Sequence, residues 1–111
     1  MEKRYIVIVT NQAQEQLEAT KQYYVYKLHA KDAAHDFLDL MEETFADLEV
    51  YPKRGRLTEE EPWRSQGIRI RPIKTHNVYY WIDEVEMTVW VTAVIATRMD
   101  QQEQLKKIKM K

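Results

Sequence analysis

Four cations and an imidazole lie close together in the second half of the chain: Arg69, Arg71, Lys74, His76 and, further on, Arg98, with Tyr79 beside them. Groups of this kind suit metal-free phosphodiester cleavage. One side chain takes the 2′-hydroxyl proton, cations stabilise the developing phosphorane, and one group protonates the leaving 5′ oxygen. A neighbouring aromatic ring can stack a splayed base. The spacing alone carries this chemistry weakly. Arginines at alternate positions of a strand also serve as charge on an exposed face or a protected sheet edge. Other site signatures are missing: the sequence has no glycine-rich phosphate loop, no HExxH, no nucleophile elbow and no cysteine, and His29, His35 and His76 are dispersed. No metal or cofactor is implied.

The elements that must position these groups follow from periodicity. Ile68 and Ile70 alternate with Arg69 and Arg71, so a strand here carries its apolar and its guanidinium side chains on opposite faces. The reading expects a cationic outer face. A turn at Lys74-Thr75-His76-Asn77 leads into a second strand, Val78 to Ile82. Asp83-Glu84-Val85-Glu86 reverses the chain into a third, Met87 to Ala96, which is apolar at both alternating sets and hence covered on both sides. Gly67 to Asp100 is thus a three-stranded antiparallel meander.

Upstream, Tyr5-Ile6-Val7-Ile8-Val9 reads as a short strand. Thr10 or Asn11 then caps a helix whose Ala13, Leu17, Thr20, Tyr24 and Leu28 recur at helical spacing. Tyr23, Tyr24 and Tyr26 wrap more than one face of it, as contact with a second helix requires. That second helix starts at Asp32 and runs to about Val50, with Ala34, Phe37, Leu38, Met41, Phe45 and Leu48 on one stripe. The short connection makes the pair an antiparallel hairpin. Tyr51 to Gln66 shows no periodicity and reads as a loop, with Trp63 anchoring it on the sheet. A short terminal helix or tail carries Leu105, Ile108 and four lysines. The expected fold is α+β, one antiparallel sheet with the helices on one face.

At 111 residues the chain is read as a single domain, 1–111, able to bury about two-thirds of its unfolded surface. It has no apolar run long enough to span a bilayer and no cysteine, and a cytoplasmic protein with no secretory leader and no membrane partner is expected. Net charge is −1, but its distribution is uneven. Asp32 to Val50 holds seven acids and no Lys or Arg, whereas Arg64 to His76 holds four cations and no acid. The acidic helix is read as a solvated face.

In its order of elements, and in the series IRIRPI, VYYWIDE and VTAVIATRMD, the chain resembles the RelE/ParE superfamily of toxins from type II toxin–antitoxin modules, including plasmid stabilisation proteins. The resemblance covers nearly the whole chain. It implies a small growth-arresting protein held inactive by a cognate antitoxin that folds onto it and covers its basic patch. In the RelE-like branch the activity is ribosome-dependent mRNA cleavage without a metal, with the ribosome and mRNA as partners. Arg69, Arg71 and Arg98 match that branch's cations, and Lys74 and Tyr79 are placed as RNA contacts. The aromatic or imidazole group that often follows the last strand is missing from Met99 to Gln104, and a basic residue is replaced by Asn77, which leaves His76 to supply the acid or base. In the ParE-like branch the toxin poisons DNA gyrase without chemistry of its own, and Arg98-Met99-Asp100 fits its strand end. A member that only binds its antitoxin is a third reading. Ribosome-dependent cleavage is ranked first on the cationic strand and His76, although a pI of about 6.3 sits poorly with binding to ribosomal RNA.

Overall fold

The β-branched start of the chain and the apolar runs after residue 75 form a single five-stranded sheet. The computed structural model describes residues 4–111. Strand β1 (Ile6–Val9) leads into α1 (Asn11–Gln22), where Thr10 is the N-cap, its hydroxyl accepting from the Ala13 amide at 3.2 Å. The helix winds on as a π-helical turn, Tyr23–Lys27. His29, with φ 50°, then takes the left-handed conformation that lets the chain double back. Helix α2 (Lys31–Val50) returns with Ala34, Phe37, Met41, Thr44 and Leu48 buried along one stripe.

The supposed loop after α2 is partly regular. A 3-10 turn, Pro52–Arg54, precedes a two-residue strand, β2 (Arg56–Leu57), which pairs with β3 (Arg69–Pro72). Trp63 anchors the remainder, 7% exposed, its indole N–H on the Leu105 carbonyl at 3.2 Å. Strands β4 (His76–Asp83) and β5 (Thr88–Ala96) complete the meander, and Asp100 caps the short helix α3 (Gln101–Leu105).

The sheet order is β1-β5-β4-β3-β2. The meander is antiparallel as expected, but β1 runs parallel to β5, so the sheet is mixed. Its two faces are both covered. The helix hairpin buries Met41, Leu48, Val78, Tyr80 and Val91 on one side. Trp63, α3 and the segment before β3 bury Ile68, Ile70, Tyr79 and Ile95 on the other. Fully burying such a side chain contributes about 1.5–3 kcal/mol before entropy is counted. A register shift between Tyr79 and Tyr80 places Thr92 in a bulge, its hydroxyl on the Tyr79 carbonyl at 3.2 Å, which lets both Val91 and Val94 face the helices. No helix among the described residues is long and apolar enough to cross a membrane.

Candidate functional site

Double coverage of the sheet decides where the cations go. Arg69 and Arg71 stand opposite Tyr80 and Val78, whose side chains enter the core beneath the helices. The arginines therefore lie on the helix-bearing face, while their apolar partners Ile68 and Ile70 lie under Trp63. This corrects the cationic outer face expected from alternation. At the sheet edge both guanidinium groups are occupied. Arg71 Nη1 sits 2.5 Å from Asp47 Oδ2 in α2, and the second oxygen of that carboxylate takes Arg54 Nη1 at 3.3 Å. Asp47 is thus not part of a purely solvated acidic face. Arg69 Nη1 donates to the Gly55 carbonyl at 2.6 Å. Tyr80, fully buried, donates its hydroxyl to the Pro52 carbonyl and accepts from the Gly55 amide at 3.1 Å. Burial raises its phenol above the usual value, so it stays a donor. These contacts hold the chain from Pro52 to Arg56 against the sheet.

The other end of the sheet is open. A groove of about 570 Å³ runs between α1, its π-helical turn and the end of β5, with Gln16, Tyr23, Tyr24, Thr75, His76 and Arg98 in its wall. His76 is not in a turn: it opens β4, is 5% exposed, and packs its ring 4.8 Å from Phe37, which in turn lies 5.9 Å from Tyr24. Nδ1 is 2.8 Å from the Thr75 hydroxyl. Burial first, and the charge of Arg98 second, hold the imidazole below its ordinary pKa, so it is neutral at neutral pH. Arg98 is exposed, its guanidinium carbon 5.7 Å from the Tyr23 ring centroid. No carboxylate among the described residues pairs with it. The Thr97 amide and hydroxyl both donate to the Thr75 carbonyl, at 3.0 and 3.2 Å, which ties the Arg98 turn to the turn carrying exposed Lys74. Asp100 Oδ1, accepting from the Glu103 amide at 3.2 Å, fixes the far side of that turn.

Of the six residues singled out by type, His76 and Arg98 line one groove and Lys74 neighbours it. Arg69 and Arg71 do not join them. Arg71 aligns through Val78 with Val94, four residues before Arg98, so two strand spacings, roughly 10 Å, and a further stretch of roughly 13 Å along the strand separate them. Phe37 of α2 packs on His76 on the groove side. Tyr79 is on the opposite face, 2% exposed, its hydroxyl on Gln101 Oε1 at 2.9 Å, and has no free ring face for a base. Tyr23, Tyr24 and Gln16 also line this groove, and residue type alone does not single them out. The tyrosine cluster was the available signal, since it wraps too much of its helix to serve one core face.

This fold, with a parallel β1 beside a meander and a helix hairpin over one face, is shared with chains of solved toxin–antitoxin complexes. A family profile described as the ParE toxin of the type II toxin–antitoxin system parDE matches residues 7–101, and the chain belongs to that family. Among solved structures it is similar to a chain of the toxin–antitoxin complex RelBE2 from Mycobacterium tuberculosis, with a TM-score of 0.62 and 22% identity over 84% of this chain and 98% of that one. It is also similar to a chain of the chromosomal ParDE system of P. aeruginosa, with a TM-score of 0.67 and 15% identity over 85% and 97% of the two chains. No curated protein matches it in sequence.

Proposed function

We propose that this toxin arrests growth by binding DNA gyrase, not by cleaving mRNA, and that a cognate antitoxin neutralises it by covering the open end of its sheet. The supporting observation is the division of the cations. Arg69 and Arg71 are consumed by Asp47 and the Gly55 carbonyl, which leaves Arg98, with Lys74 beside it, as the cationic part of the groove. One exposed guanidinium on an aromatic ledge suits docking to a protein surface, where arginine and tyrosine are favoured anchors. Pentavalent phosphorane stabilisation calls for several cations around one phosphate. The Arg98-Met99-Asp100 strand end and the ParE family match point the same way.

The test is purified gyrase on supercoiled plasmid with ATP, with translating ribosomes on a defined mRNA assayed in parallel. The chain should trap linear, gyrase-cleaved DNA and leave the mRNA whole, and Arg98→Ala should lose the trapping. Cut mRNA with unaffected gyrase would reverse the assignment. Ribosome-dependent cleavage keeps one observation in its favour: neutral His76, an available base, shares its groove with Arg98.

A further inference from the structure

The two edges of the sheet are protected very differently. At one end β2 is only two residues long and starts with Arg56, both devices that discourage edge pairing. At the other, β1 presents Ile6-Val7-Ile8-Val9 with no charge, proline or bulge, and its outward side chains Ile6 and Ile8 are 64% and 38% exposed. The Ile6 amide donates to Met87 and the Thr10 amide to Val91, which places the even-numbered residues' backbone groups toward β5. In a strand the N–H and C=O of one residue share a side and alternate along the chain. Val7 and Val9 therefore turn both groups outward, and among the described residues nothing pairs with them.

We propose that this edge is a homodimer interface, in which β1 of a second copy pairs antiparallel about a two-fold axis at Ile8. In that register Val7 exchanges both backbone hydrogen bonds with Val9 of the second copy, and Val9 with Val7. Ile8 faces its own counterpart in a non-hydrogen-bonded pair, where the Cα atoms approach to about 4.5 Å and side chains are closest. The pattern is self-complementary, as a two-fold interface requires.

Charge argues for the antiparallel arrangement and for this occupant. Beside the start of β1 lie carboxylates: the Tyr5 amide donates to the carbonyl of Glu49, and the Tyr5 hydroxyl bonds Glu84 at 2.9 Å. Beside its end lies the lysine tail, clamped by Gln12, whose side chain donates to the Lys107 carbonyl at 2.7 Å and accepts from the Lys109 amide at 3.1 Å. Glu49 keeps Arg4 at 3.7 Å, and Glu15 lies near Lys109, so each end retains some opposite charge. A two-fold axis brings the acidic end of each copy to the lysine end of the other. Trp90, paired with Ile8 across β1 and β5, flanks the axis, with Lys111 Nζ 5.3 Å from its ring centroid.

Sedimentation equilibrium of the full chain tests this. With rising concentration the mass should move from 13.4 kDa toward twice that value. Ile8→Lys and Ile8→Glu, each placing like charges on the axis, should stay monomeric at concentrations where the wild type is dimeric, and an equimolar mixture of the two should regain the doubled mass. Val7→Pro, which removes an outward amide and spares the β1–β5 ladder, should also be monomeric. A wild type that stays at monomer mass throughout, or an Ile8→Lys protein that dimerises as readily as wild type, would overturn the proposal. The first result would leave the edge to a strand from some other protein.

Discussion

Arg71 packs against Asp47 with 28% of its side chain exposed, whereas Arg98 stands over the Tyr23 ring with no carboxylate partner among the described residues. The two carry the same charge on one sheet, Arg71 within β3 and Arg98 in the turn that follows β5. Their environments make one a strut and the other a free contact. In the β3 region every polar group of the cluster is answered by another: Asp47 by two arginines, Gly55 by Arg69 and Tyr80. In the groove the Thr75 carbonyl and hydroxyl are bonded, and the Arg98 guanidinium is left without a carboxylate among the described residues. Charge alone therefore does not separate a structural cation from an exposed one; its partners do.

The comparison breaks hardest at Gly55. A Cβ there would meet the Tyr80 hydroxyl, lie 2.9 Å from Tyr80 Cζ and 3.0 Å from the Ile70 carbonyl oxygen, with buried ring and backbone to move. Gly55→Ala should cost about 3 kcal/mol, read by urea denaturation, and a loss near zero would show the edge to be pliable. Next is Asp47→Ala, which leaves Arg71 and Arg54 facing each other unpaired. It should destabilise by about 2 kcal/mol, less than a fully buried pair because both partners keep contact with water.

His76 supplies a smaller, pH-dependent effect. Its folded pKa lies below the ordinary 6.5, so the unfolded chain binds more protons as pH falls past that value. Stability should be full above about pH 7 and decline as the pH drops below 6.5, and His76→Gln should flatten the decline of the melting temperature between those conditions. The smallest thermodynamic effect belongs to Arg98→Ala, about 0.5 kcal/mol or less for an exposed side chain, measured by the same urea titration. That variant should nonetheless abolish growth arrest. Stability and activity would then separate: Asp47→Ala loses stability with arrest retained at permissive temperature, and Arg98→Ala does the reverse.

Much of the architecture was legible in the residues. The α2 stripe, the meander and the anchoring of Trp63 each follow from local periodicity or from one amphipathic side chain. The parallel β1–β5 pairing was not, because it joins residues some eighty positions apart and leaves no local trace. Strand β2 is too short to have a period. Alternation correctly separated Arg69 and Arg71 from Ile68 and Ile70, but it cannot say which of two covered faces the helices take, and Asp47 is 24 residues from the arginine it binds. Polar Lys74 and Asn77 on either side make His76 look like a turn residue, yet the reversal ends one residue earlier. The place of Arg98, in the turn just past β5, follows from the end of the apolar run at Ala96.

The most direct measurement is to induce the chain alone in a bacterium and follow DNA and protein synthesis separately by pulse labelling, with Arg98→Ala alongside. Binding to gyrase through Arg98 predicts that DNA synthesis falls first while translation continues, and that the variant leaves both intact. Early loss of translation with DNA synthesis preserved would contradict it and return the groove, with His76 and Arg98, to the cleavage of RNA.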